Sequence, residues 1–234
     1  MNRLCRVRVS AAWVSVCQIL LYATNTYAAG EQAYLSTRFL AGPVGIKSWK
    51  TLRDERVVKQ GLDTSCGAAS LATLLNEYYG QSVTEQEILG LMGIENLRSS
   101  FQNMRDALAI LGFRSVAVAI HYEQLATLEM PVIVYLKLRD TGHFSVLRGI
   151  HASTVWLADP SLGNRTYGRE QFLSLWDART GEHGNATAKG RVLAVLPGDR
   201  EVAAQTGFFT KAPRRQTVPA IAQLRVWAGR DWRD

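Results

Sequence analysis

The apolar pattern of this chain changes period once, near residue 114, and that change limits the folds open to it. Before it, Ala69, Leu71, Ala72, Leu74, Leu75, Tyr78 and Tyr79 recur at helical spacing from Cys66, and Gly80 stops them. This spacing predicts a helix over 66–79. Ser82 and Thr84 each stand three residues before a glutamate, Glu85 and Glu87, two overlapping capping boxes that open a short second helix. Ser99, with Gln102 three residues on, opens a third, with Met104, Leu108 and Leu111 as its buried stripe and Gly112 as its cap.

Beyond residue 114 the runs are short and rich in Val, Ile and Leu: Ser115–Ile120, Val132–Leu138, Phe144–Ile150, Thr154–Ala158 and Val192–Leu196. Bounded by Gly, Pro and Asp, they read as strands, with Pro131 at the start of its strand, where a missing donor is tolerated. A helix over Arg169–Trp176 separates the last two. Helices first and antiparallel strands afterwards predict an α+β domain, its helical half packed against an antiparallel sheet.

The flanks differ. Arg3, Arg6 and Arg8, with no acid, precede a mostly apolar run from Val9 to Tyr22, and Thr26-Tyr27-Ala28 offers small residues where a signal peptidase reads. Residues 1–28 are therefore expected to be a cleaved secretory signal, which implies an exported, periplasmic protein. The run is shorter than the roughly 20 residues of a spanning helix, so no stable membrane span is expected after cleavage. Residues 29–56 form a mixed lead-in broken at Gly42-Pro43 that should run over the domain surface. Residues 57–198 form the domain and 199–234 a basic tail, in which Val218, Ile221, Leu224 and Trp227 could share one helical face.

The formal charge of +7 drops to +4 without the three signal arginines, and basic and acidic residues are interspersed. No basic stripe interleaved with aromatics exists, so no nucleic-acid partner is expected. Gly45-Ile46-Lys47-Ser48 lacks the glycine that a phosphate-binding loop places directly before its lysine. No cofactor and no metal are implied.

With Cys5 and Cys17 inside the signal, Cys66 has no intramolecular disulfide partner. A lone thiol at a turn-to-helix boundary, in a protein bound for an oxidising compartment, points to reactivity. A cysteine nucleophile needs ionisation, a base and oxyanion donors. The first turn of a helix serves the first need, because unpaired backbone amides there stabilise negative charge. A cysteine beside alanines is also compatible with core packing.

Of the histidines, His143 follows Thr141-Gly142 at a strand mouth, whereas His121, His151 and His183 read as ordinary surface or core residues. Asp159, in Asp159-Pro160, ends the next strand, and a hairpin would bring it beside His143 to hold one tautomer. A plain Asp-Pro turn explains it equally. Gln60, six residues before Cys66 across a turn containing Gly61, can point its amide at the oxyanion position beside the Cys66 N–H, although a surface glutamine is the default.

Together, Gln60-x5-Cys66-Gly67-Ala68-Ala69, Gly142-His143-Phe144 and Asp159-Pro160 resemble the double-glycine peptidase family, the papain-like leader-cleaving domains of bacteriocin exporters. The resemblance runs from about Val57 to Leu196. It implies a papain-like cysteine peptidase with Cys66 as nucleophile, His143 as base and acid, Asp159 as orienter and Gln60 in the oxyanion hole. Exporter-linked members are fused to membrane and ATPase domains and cut after Gly-Gly. An exported, free-standing chain is more similar to the stand-alone members, including those of functional-amyloid secretion systems. The implied partner is a protein or peptide substrate, such as an amyloid subunit or secretion component. Two competing readings are a catalytically silent peptide-binding or chaperone module, and another papain-like chemistry such as transglutamination or cell-wall amide hydrolysis.

Overall fold

The structure, a computed structural model, describes residues 31–93, 99–138, 141–176, 190–198 and 202–213. The expected signal at 1–28, His183 and the tail face of Val218, Ile221, Leu224 and Trp227 lie outside the described residues. The described residues up to Leu52 and those from Arg53 form two compact units.

In the first unit, β1 (Gln32–Ser36) and β2 (Ala41–Gly45) make an antiparallel hairpin. Pro43 is not a break: it sits within β2 opposite Tyr34, because an edge strand does not need every backbone donor. Helix α1 (Trp49–Asp54) follows.

The second unit carries the predicted helices. Helix α2 (Cys66–Tyr79) buries its apolar stripe and ends at Gly80, whose φ of 63° is the left-handed conformation that glycine adopts without a Cβ penalty. Helix α3 (Glu85–Met92) opens on the Thr84 capping box; Ser82 does not cap it. Helix α4 (Phe101–Ile110) is capped by Ser100, not Ser99, with the Asn103 N–H donating to Ser100 Oγ at 3.1 Å. Ser99 is instead packed against Gly67, so the cap moves one residue along.

The remaining elements are β3 (Phe113–Ile120), α5 (Tyr122–Thr127), β4 (Val132–Leu138), β5 (Thr141–Ile150), β6 (Thr154–Asp159), β7 (Gly163–Gly168), α6 (Arg169–Leu175) and β8 (Gly190–Pro197). The six strands from β3 to β8 form one antiparallel sheet in the order β3-β8-β4-β5-β6-β7. The α+β expectation holds, with one addition: both faces of the sheet are covered. Ile133, Val146, Leu193 and Val195 pack with Leu71, Leu75 and Met104 of the helical half. Their strand neighbours Val132, Val134, Leu147 and Val192 point the other way, towards Leu125 of α5 and Phe172 of α6.

Helix α2 is tied to the sheet at both ends. Ser70 Oγ donates to the Phe144 carbonyl at 3.1 Å in β5, and Tyr79 OH donates to the Val195 carbonyl at 2.6 Å in β8. The chain after Gly198 returns to this unit. The Gln205 N–H donates to the Tyr78 carbonyl, and Thr210 exchanges backbone bonds with Arg148 and Ile150. Phe208 is buried under the Arg148 guanidinium, which lies 4.6 Å from its ring centroid and 4.1 Å from that of Trp156.

Candidate active site

Three elements and the turn ahead of α2 deliver the four sequence-identified side chains to one place. Cys66 is the first residue of α2, where helix geometry leaves its backbone N–H without an intrahelical acceptor. His143 is the third residue of β5, opposite Leu136 of β4. The strand begins three residues earlier than the apolar run implied, so the ladder fixes the histidine backbone. Asp159 is the last residue of β6, the neighbour of β5. Gln60 lies in the turn ahead of α2. Gln60, Cys66 and His143 line one cavity of about 530 Å³, together with Ser99, Tyr135 and Ser161.

Asp159 is completely buried, and its two oxygens have separate tasks. Oδ2 lies 2.8 Å from Nε2 of His143 and accepts the Ser145 hydroxyl at 2.8 Å. Oδ1 accepts the backbone N–H groups of Ser161 and Leu162, both at 2.8 Å. Burial opposes ionisation of Asp159, but the His143 bond and charge, the Leu162 amide and the Ser145 hydroxyl outweigh it. They hold the carboxyl below the usual carboxylate range.

His143 is 8% exposed. Burial alone would favour its neutral form; the Asp159 hydrogen bond, the Cys66 side chain and the charges of both overcome this and raise it to about 9. With Nε2 committed to Asp159, Nδ1 is the ring nitrogen left for the sulfur. Both ring nitrogens are thus engaged, one by the Asp159 carboxylate and the other on the side of the Cys66 side chain.

The turn that carries Gln60 is clamped from several directions. The Gln60 N–H donates to the Pro160 carbonyl at 3.1 Å. Its side-chain Nε2 donates to the Leu62 carbonyl at 2.8 Å, and its Oε1 accepts the Ser161 hydroxyl at 2.7 Å. Both oxygens of the buried Glu85 accept the N–H of Gly61, at 3.0 and 2.9 Å. On the far side, Gly67 is pressed against its neighbours. A Cβ there would stand 2.4 Å from Ser99 Cβ and 3.3 Å from Phe144 Cδ2, so only glycine lets α2 come this close. Phe144, Tyr135 and Phe101 form an aromatic wall, with Phe144 in edge contact with each of the others at 5.0 and 5.1 Å.

Sequence reasoning missed Ser145, Ser161 and Glu85. Ser145 carried a signal, two residues after His143 and so on the same face of the strand. Ser161 and Glu85 carried none, because their contacts join segments far apart in the chain. Of the other described histidines, His121 precedes α5 at its N-cap and His151 directly follows β5, and neither lines the cavity. Among the described residues no group of three or more His, Cys, Asp or Glu is placed to hold a metal ion.

Residues 54–180 match the Peptidase C39 family. The "Probable functional amyloid protease FapD" of Pseudomonas fluorescens is 31% identical over 173 residues, which cover 70% of this chain and 75% of that protein. Among solved structures, a double-glycine motif protease from an AMS/PCAT transporter, in complex with the leader peptide, superposes with a TM-score of 0.50 at 24% identity, over 60% of this chain and 90% of that one. The peptidase domain of Streptococcus ComA, a bi-functional ABC transporter involved in quorum sensing, gives 0.50 at 21% identity, over 60% and 97%. These likenesses show a shared papain-like fold.

Proposed function

The chain belongs to the peptidase C39 family, the double-glycine peptidases, and on that premise we propose that it is a cysteine endopeptidase acting on an exported protein or peptide. The observation that carries this reading is the geometry: a buried His143 imidazole held by Asp159 at 2.8 Å, facing one cavity together with a cysteine at a helix start. Cys66 Sγ attacks the scissile carbonyl carbon, forming the S–C bond and moving the carbonyl π electrons onto oxygen. The Gln60 amide and the Cys66 N–H donate to that oxyanion. As the intermediate collapses and the C–N bond breaks, His143 gives its proton to the departing amine. Water then attacks the thioester with His143 as base, and the S–C bond breaks. Asp159 keeps the imidazole in the tautomer and orientation both steps need.

Export to the periplasm is the destination proposed from residues 1–28, with an amyloid subunit or secretion component as substrate. The name of the Pseudomonas relative supports that substrate class. The test compares the N-termini of envelope proteins from a host carrying the wild type with those from a host carrying Cys66→Ala. Termini present only with the wild type, and reproduced by purified protein on the same substrate, are expected. Identical sets, with wild-type protein that binds the candidate substrate without cutting it, would leave a silent peptide-binding module. Amide transfer to an added amine would identify a transferase.

A further inference from the structure

The amide proposed to receive the oxyanion is itself aimed by a second residue. An amide side chain works as an oxyanion donor only if its nitrogen end faces the site, and its two ends have nearly the same shape. Here the partners decide. The Leu62 carbonyl can only accept, so the atom facing it is Nε2; the Ser161 hydroxyl then donates to Oε1 at 2.7 Å. One amide hydrogen is used by Leu62, and the other remains for the cavity that Gln60, Cys66 and Ser161 line together. Ser161 is in turn immobilised. Its N–H donates to Asp159 Oδ1 at 2.8 Å, its carbonyl accepts Lys59 Nζ at 2.6 Å, and the preceding Pro160 carbonyl accepts the Gln60 N–H.

We infer that Ser161 is a positioning residue for the Gln60 carboxamide, and that through it the Asp159 turn fixes the oxyanion donor as well as the imidazole. The inference rests on Gln60 being an oxyanion donor. Without the Ser161 hydroxyl, Oε1 loses the donor that holds it, and the amide can rotate its oxygen towards a developing negative charge. Ser161 is exposed on the rim of the cavity, so Ser161→Ala removes one hydroxyl without opening the core.

The test uses two reactions of the same sulfur on the full chain. Acylation by p-nitrophenyl acetate passes through a tetrahedral oxyanion: the S–C bond forms and p-nitrophenolate leaves with the C–O electron pair. Alkylation by iodoacetamide forms an S–C bond as iodide leaves, with no oxyanion. It is followed by mass on the Cys66 peptide, and acylation is corrected for the Cys66→Ala background. Ser161→Ala should slow acylation about two- to ten-fold, the effect of one hydrogen bond, and leave alkylation unchanged. Ser161→Thr, which keeps the hydroxyl, should restore acylation. In a Gln60→Ala background, Ser161→Ala should have no further effect, since the two act as one unit.

Equal slowing of both reactions would mean that Ser161 merely supports the sulfur and histidine, and would overturn the inference. So would an undiminished loss in the Gln60→Ala background, or wild-type acylation by Ser161→Ala when Gln60→Ala is impaired. If Gln60→Ala itself acylates at the wild-type rate, the oxyanion assignment fails first, and the result is recognisable as that.

Discussion

Oδ2 of Asp159 lies 2.8 Å from Nε2 of His143 in a pocket where the carboxylate has no exposure to solvent. In such a setting the carboxylate stabilises an imidazolium far more than it could in water. Asp159→Asn keeps the shape and removes the charge. Burial then acts on His143 with less opposition, and its value falls from about 9. The alkaline limb of kcat/KM should therefore move to lower pH. Gln60→Ala should instead lower the whole profile by about a hundred- to a thousand-fold without moving either limb, as for an oxyanion donor. A pH–rate series on both variants separates the two roles, and coincident limbs in Asp159→Asn and wild type would dismiss the orienting role.

The same pair makes stability depend on pH. The folded value of His143, about 9, exceeds its ordinary 6.5, so its contribution is complete below 6.5 and disappears as pH rises through 9. Asp159 is shifted the other way, below its ordinary 3.8, so its contribution is present above 3.8 and lost as pH falls through the folded value. Between those bounds both act together. The urea midpoint of wild type should exceed that of His143→Gln most at about pH 5.5, with a smaller gap at about pH 9.5. A gap that grows with pH would contradict the sign of the shift.

Loss of the sulfur should end turnover while leaving the fold. Cys66→Ala should cleave no faster than a blank and retain a single cooperative thermal transition. His143→Ala should be comparably inactive, and the double variant no worse than either, because residues that act as a unit lose activity together. Peptide cleavage followed by mass spectrometry, with circular dichroism on the same samples, checks both statements.

Gly67→Ala places a Cβ 2.4 Å from Ser99 Cβ, and helix α2 must shift to admit it. Overpacking of this kind costs about 1–3 kcal/mol, and the shift carries Cys66 with it, so stability and activity should fall together. Combining it with Ser99→Gly removes the clashing atom and should return part of both. A double-mutant cycle on denaturation midpoints and rates measures that coupling.

The helices and central strands were legible because their burial follows sequence period: α2 and β4 begin and end where the apolar pattern does. Strand β7 was not, since Gly163–Gly168 contains no apolar run and is the edge strand of the sheet among the described residues. The hairpin of β1 and β2 was hidden by Gly42-Pro43, a turn signal that an edge strand tolerates. At the α4 cap, the preference for glutamine three residues on selected Ser99, whereas close packing on Gly67 decided for Ser100. For the site, Cys66, His143, Asp159 and Gln60 were readable as residue types in a spacing. Glu85 and Ser161 were not, because a carboxylate gripping Gly61 and a hydroxyl gripping Gln60 are products of the fold, invisible in the neighbourhood of either residue.

Among the described residues, the last strand of the sequence is not the last strand of the sheet. β8 lies between β3 and β4, so a polypeptide emerging N-terminus first has a gap in the middle of its sheet until Pro197 is free. Tyr79, at the far end of the helix that begins with Cys66, also has its acceptor there, on Val195. Long-range pairing of this kind is slow, since loop closure precedes any gain from contact. The surroundings of the sulfur are therefore completed late, once the chain has been made as far as Pro197.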